Sequence, residues 1–235
     1  MGDIKDYRDK ELKLYALANI FVIIYVEKVI TIEGLLNQND KFTTLLITIF
    51  NSALFLSILY IFVLLSDSLF SEGMKNKIIY FWGHLPGETV FSRMKVKVKD
   101  IRFTQEQVLE RYKSIYDNMP NQRDHKYRYE NSAWYKIYNR YRDNKMVYVA
   151  NRDYLVCRDM TSSTVVILVL YFIFSIVLQL VPFKIECVIY LVIMFLVTNV
   201  ATRTKGERMV NNVIICDLQA RNENEGEFIS CKLAR

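Results

Sequence analysis

Uncharged hydrophobic runs alternate with long charged stretches along this chain, and the length of each run decides what it can be. Residues 42–65 are apolar apart from Asn51 and a few hydroxyl residues, and 164–181 and 187–201 carry no charge at all. A helix needs roughly 20 mostly apolar residues to cross a bilayer. The run 42–65 meets that outright. The run beginning at 164 meets it once 160–163 are counted, and 185–202 has a single acid, Glu186, at its edge. A further candidate, 12–36, is interrupted by Glu27 and Lys28. Its apolar run 14–26 is too short alone, but Val29-Ile30-Thr31-Ile32 continues it. The pattern predicts an all-α membrane protein with four transmembrane helices in two hairpins. Residues 1–66 form the N-terminal segment and first hairpin, and 162–202 the second. Between them lies a helical insert, 67–161, and 203–235 form a helical tail.

Within the insert, weaker periodicities predict shorter elements. Thr104-Gln105-Glu106-Gln107 has capping-box spacing and starts a helix that runs to about Asp117, where Pro120 stops it. A second helix fits 130–142, with Trp134, Ile137, Tyr138 and Tyr141 on one face, and Asp143-Asn144 breaks it. A third, 146–159, leads into the third span. Leu85-Pro86-Gly87 predicts a turn. Val96 and Val98 alternate with lysines, a short strand signal. Residues 207–218 extend the fourth span.

Charge orients these elements. The chain carries a net +6, and residues 71–161 hold 18 Lys and Arg against 11 Asp and Glu. Lys and Arg collect in cytoplasmic loops. The insert, the tail (Arg203-Thr204-Lys205) and the N-terminus (Lys5, Arg8, Lys10, Lys13) are all basic. With 12–36 spanning, both termini and the insert are expected on the cytoplasmic side of the membrane. Four scattered cysteines and two histidines give no metal-ligand spacing, and no cofactor is expected. Gly-rich phosphate loops, nucleophile elbows and zinc-protease motifs are absent, so the reading is not an enzyme.

Two features suggest chemistry. Glu27 and Lys28 are ionisable groups in a candidate span, where a central charge costs about 2.5–3.5 kcal/mol. Glu27 shares a helical stripe with Ile20, Ile23 and Thr31, a candidate pore lining in an oligomer. The alternative is that Lys28 reaches the interface and nothing is conducted. The insert supplies the second feature: nine tyrosines and Trp134 interleave with cations between Tyr112 and Tyr154. Basic groups neutralise phosphates while rings stack on bases. Lys126, Arg128, Trp134, Lys136, Arg140, Arg142 and Arg152 are therefore candidates for binding a nucleotide or short single-stranded oligonucleotide. Trp134, Ile137, Tyr138 and Tyr141 equally suit the core of a small helical domain. The lysines of 93–102 also suit an anionic lipid surface.

Trp82-Gly83-His84-Leu85-Pro86-Gly87, then Trp134-Tyr135-Lys136-Ile137-Tyr138, then Asn151-Arg152-Asp153-Tyr154-Leu155-Val156-Cys157-Arg158-Asp159 precede a hydrophobic hairpin. That succession resembles the Hailong-type membrane effectors, encoded beside nucleotidyltransferases in bacterial anti-phage defence loci, or a related four-span effector of cyclic-oligonucleotide signalling. The resemblance implies a homo-oligomeric ion channel, expected as a tetramer. A product of the partner nucleotidyltransferase would gate it, and its opening would depolarise the cell and arrest growth. The alternative function is a non-conducting scaffold that recruits a soluble partner through the insert. A secondary transporter lacks the broken-helix Gly and Pro signals it would need.

Overall fold

The computed structural model describes residues 4–26, 70–179 and 182–233, together with Ser57, Tyr60, Ile61 and Leu65. Every regular element among them is helical, and none is a strand. In order they are α1 (Ile4–Val26), α2 (Glu72–Ile79), a single 3₁₀ turn (Pro86–Glu88), α3 (Val90–Val96), α4 (Gln105–Arg111), α5 (Lys113–Asp117), α6 (Arg123–Tyr141), α7 (Lys145–Phe172) and α8 (Ile185–Leu233). The chain divides into two compact units. One comprises Met1–Ile79 with Leu155–Thr202, the other Tyr80–Tyr154 with Arg203–Arg235. The expected insert boundaries at 67 and 161 thus fall inside the first unit, while the tail joins the insert.

Two helices are long and apolar enough to cross a membrane: Lys145–Val177 and Ile185–Ala220. They contain the expected third and fourth spans. Of the expected first span, α1 covers 12–26 and the rest lies outside the described residues. The second span, 42–65, lies outside them too, apart from Ser57, Tyr60, Ile61 and Leu65, which are helical.

The first unit has an apolar surface and an interior shared between apolar and polar side chains. Leu14, Leu17, Phe21 and Tyr25 recur at helical spacing along α1, and all are exposed. On α8, Ile185, Ile189, Val192, Ile193, Leu196, Val197 and Val200 are exposed as well. In water such a surface would cost roughly 25 cal/mol per Å². Against hydrocarbon it costs nothing, so these faces suit a lipid solvent. The interior holds small apolar clusters: Ile23 packs with Ile167, Tyr171, Cys187 and Leu191, and Ile20 with Ile24 and Phe174. The remaining buried positions are occupied largely by polar side chains.

The turn after α7 is built by an unusual ending. Residues Ile173–Val177 form a π turn, in which the Leu178 N–H donates to the Ile173 carbonyl at 2.9 Å. Gln179 then adopts φ 51°, a left-handed conformation that reverses the chain without a glycine. The Tyr171 hydroxyl closes the turn by accepting from Lys184 N–H at 2.8 Å. Lys184 Nζ donates to the Val26 carbonyl at 2.8 Å and so satisfies the C-terminus of α1.

In the second unit the local signals work as expected around Thr104. Its hydroxyl accepts from Gln107 N–H at 3.3 Å, and the Gln107 side chain returns a bond to Thr104 N–H at 2.9 Å. The helix that follows is interrupted at Tyr112, because that ring and Val108 are buried in the core. Residues 97–100 are extended, but Lys97 N–H donates back to Arg93 O at 3.0 Å, ending α3 rather than starting a strand. The Pro86–Glu88 turn lies against α6. A Cβ on Gly87 would stand 2.7 Å from Asn131 Oδ1 and 3.1 Å from the Trp134 ring, so only glycine lets the turn approach.

Candidate functional site

The polar interior of the first unit begins with a run on α7. Arg158, Asp159, Thr161, Ser162, Ser163 and Thr164 are all buried, and Asp159 is 0% exposed. A run of adjacent residues covers every side of a helix, so burial of the whole run requires neighbours all round. Lys75 on α2 is one of them: its Nζ lies 3.1 Å from Asp159 Oδ1. Arg158 Nε reaches the same oxygen at 3.2 Å, and its Nη1 lies 3.8 Å from the exposed Glu72. Two buried cations therefore converge on one buried carboxylate. Charges removed from water cost several kcal/mol each unless they are paired and hydrogen-bonded.

Hydroxyl and amide contacts carry the polar interior onward and tie the described helices of this unit together. Thr161 Oγ1 meets Thr202 Oγ1 on α8 at 2.9 Å. Tyr15 on α1 meets Thr164 Oγ1 at 2.8 Å. The Tyr190 hydroxyl donates to Asn19 Oδ1 at 3.0 Å, while Asn19 Nδ2 donates to the Tyr15 carbonyl at 2.8 Å. Asn199 Nδ2 donates to the Ile79 carbonyl at 3.1 Å, holding the end of α2. Interhelical bonds of this kind are worth about 0.6 kcal/mol each on average. The arrangement places hydroxyl and amide oxygens between α1, α7 and α8. It is able to act as a latch, because α2 and α7 are joined by charge.

In the second unit, ionic contacts fix the C-terminal half of α8. Asp217 accepts from Arg111 Nε and Nη2, both at 3.0 Å, from the Tyr112 hydroxyl at 2.9 Å and from the Tyr141 hydroxyl at 3.2 Å. Burial alone would raise the Asp217 carboxyl. The Arg111 bonds, the two tyrosine hydroxyls and the guanidinium charge outweigh it and hold the group below the usual carboxylate range. Lys205 Nζ lies 2.9 Å from Asp153 Oδ2, and Arg152 Nη2 lies 2.9 Å from Asp153 Oδ1. Glu130 on α6 is fully buried and accepts from the N–H and hydroxyl of Ser92.

The candidate ligand residues separate in this setting. Arg128, Lys136, Arg140 and Arg142 lie exposed on or just beyond α6, on the side away from the core, and Lys126 is half-buried. Arg152 is half-buried against Asp153. Trp134 is buried, its ring stacked on Tyr138 at 5.4 Å and capped by the Gly87 turn. It is a packing residue here, not an open stacking platform. Of the candidate pore stripe, Ile20 and Ile23 are buried among the chain's own helices, because α1 turns Leu14, Leu17, Phe21 and Tyr25 outward instead. Glu27 and Thr31 lie outside the described residues. Sequence reasoning missed Lys75, Arg158, Asp159 and the hydroxyl row. The signal was present: Arg158-Asp159 directly precede Thr161-Ser162-Ser163-Thr164 in a helix that runs unbroken into the apolar run. No protein-family model matches the chain, nor does any curated protein or solved structure.

Proposed function

We infer that the protein is an oligomeric membrane channel gated by a phosphate-bearing ligand, a nucleotide or short oligonucleotide, and that it acts as a defence effector in a bacterial inner membrane. The observation that carries this reading is the inverted first unit, whose apolar exterior encloses Lys75, Asp159, Arg158 and a row of hydroxyls. Ionisable groups within a membrane bundle mark ion and proton pathways or switches. The resemblance to Hailong-type effectors supplies the context, and with it the four-span topology with cytoplasmic termini.

The second unit is the sensing half in this reading. It gathers the exposed cations of α6, and both α7 and α8 belong partly to it and partly to the first unit. A ligand shifts a gate only by the difference in its affinity for the two states. About 1.4 kcal/mol of such difference changes the open-to-closed ratio tenfold. Opening exchanges the Lys75–Asp159 pair for contacts with water or a passing ion.

The test is flux from liposomes carrying the purified full chain, with and without short oligonucleotides. The expected outcome is ion leakage whose rate changes with the oligonucleotide. A protein that never leaks under either condition sinks the reading. If it still binds a stoichiometric soluble protein, the scaffold takes its place.

A further inference from the structure

A small cleft in the second unit lies between the end of α3, the segment 97–103 and α8. Its rim carries Arg93, Lys97 and Lys99, and Asn211 adds an amide from α8. Met94 and Phe103, both buried, form its apolar floor. Two carboxylates face it, and each is already engaged by a guanidinium. Glu207 Oε1 lies 2.7 Å from Arg93 Nη1. Asp100 receives Arg102 Nε at 2.9 Å and Nη2 at 2.7 Å. Lys97 and Lys99 have no carboxylate within ion-pair distance among the described residues. The cleft is therefore cationic after its own acids have been neutralised.

We propose that this cleft, not the exposed face of α6, binds a phosphoryl group of the ligand. The inference rests on the reading of the second unit as a sensor. Arg93 from α3 and Lys97 and Lys99 from the segment that follows line one small opening, which suits an anion with several terminal oxygens better than a single carboxylate. The enclosed volume is about 20 Å³, enough for a water-sized group. Phosphoryl oxygens enter while the sugar, base or glycerol they belong to stays outside. A bound phosphate competes with Glu207 for the Arg93 guanidinium, so occupancy loosens this ion pair between α3 and α8. The same chemistry is offered by a free oligonucleotide end and by an anionic lipid headgroup.

The experiment uses the full chain in nanodiscs, probed with a 5′-phosphorylated oligodeoxynucleotide by fluorescence anisotropy. In phosphatidylcholine nanodiscs, Lys97→Gln with Lys99→Gln is expected to weaken binding about tenfold or more and to lower the salt slope by about 1.4. Lys136→Gln with Arg140→Gln leaves both unchanged. A second arm measures binding to vesicles with and without phosphatidic acid. Loss confined to that arm in the Lys97/Lys99 variant identifies the headgroup as the source, and loss confined to the first identifies the free phosphate. Normal binding by the Lys97/Lys99 variant with loss in the Lys136/Arg140 variant overturns the cleft and leaves the sensor reading intact. If the wild type binds neither probe, both fall.

Discussion

Gly206 shows how a single position is set by its neighbours. In the middle of a helix glycine costs about 1 kcal/mol relative to alanine. Here a Cβ would stand 3.0 Å from the Tyr80 hydroxyl, 3.2 Å from Pro86 Cγ and 3.2 Å from Tyr154 Cε2. A phenol, a proline and a second aromatic ring cannot all give way. Gly206→Ala is therefore expected to lower the melting temperature of the purified protein despite its better helix propensity. Overpacking of about 1–3 kcal/mol exceeds the backbone gain. A rise in melting temperature would show that the three neighbours move freely. None of this was legible from the residue string, because Gly206 looks like any helix-weakening glycine until Tyr80 and Pro86 are brought to it. Trp134 teaches the converse. Its aromatic neighbours suggested a stacking platform, whereas the Gly87 turn that covers it fixes it as core.

At the scale of elements, the Asp217 cluster pins the late turns of α8 to α4 and α6 within the second unit. Its carboxyl is held below the usual range in the folded state, so the sign of its pH effect follows. The stabilisation is present above the ordinary aspartate value of about 3.9, and it disappears as pH falls through the lower folded value. Asp217→Asn is expected to cost about 2 kcal/mol or more at pH 7, the scale of hydrogen bonds to a charged group. Near pH 2 the variant and the wild type should converge, because the protonated carboxyl no longer differs greatly from the amide. Thermal melts across pH check this, and an equal cost at both ends would assign the loss to packing. Elements with sharp local chemistry were the legible ones: the Thr104–Gln107 box and the Asp143-Asn144 break stand where the sequence puts them. The start of α6 at Arg123 was missed, because its first turns are charged and show no apolar period. The short strand expected at Val96 and Val98 failed for want of a partner strand among the described residues.

For the whole molecule, the all-α class and two helices long and apolar enough to cross a membrane were readable from the sequence, whereas the centre of the first unit was not. Hydropathy treats Thr161, Ser162, Ser163 and Thr164 as mild interruptions of a span. Only packing reveals that Thr161 meets Thr202 and that Thr164 meets Tyr15. If the Lys75–Asp159 pair is the closed latch, Asp159→Asn leaves two buried cations without their carboxylate and should raise basal liposome flux about tenfold or more. Exchanging the charges, Lys75→Asp with Asp159→Lys, should bring the flux back down. Asp159→Glu, monitored by size-exclusion profile, separates a gating effect from misfolding. Wild-type flux in Asp159→Asn would remove the pair from the gate.

The inverted interior also bears on how the protein is made. The polar end of α7 meets Thr202 only after the last helix has been synthesised, although Arg158 and Asp159 are made earlier. A lone Arg or Asp at the centre of a span is charged about 2.5–3.5 kcal/mol by the insertion machinery. A nascent chain halted before α8 would hold Lys75 and Tyr15 as partners for this helix but lack the Thr161–Thr202 contact, and would be the less stable for it.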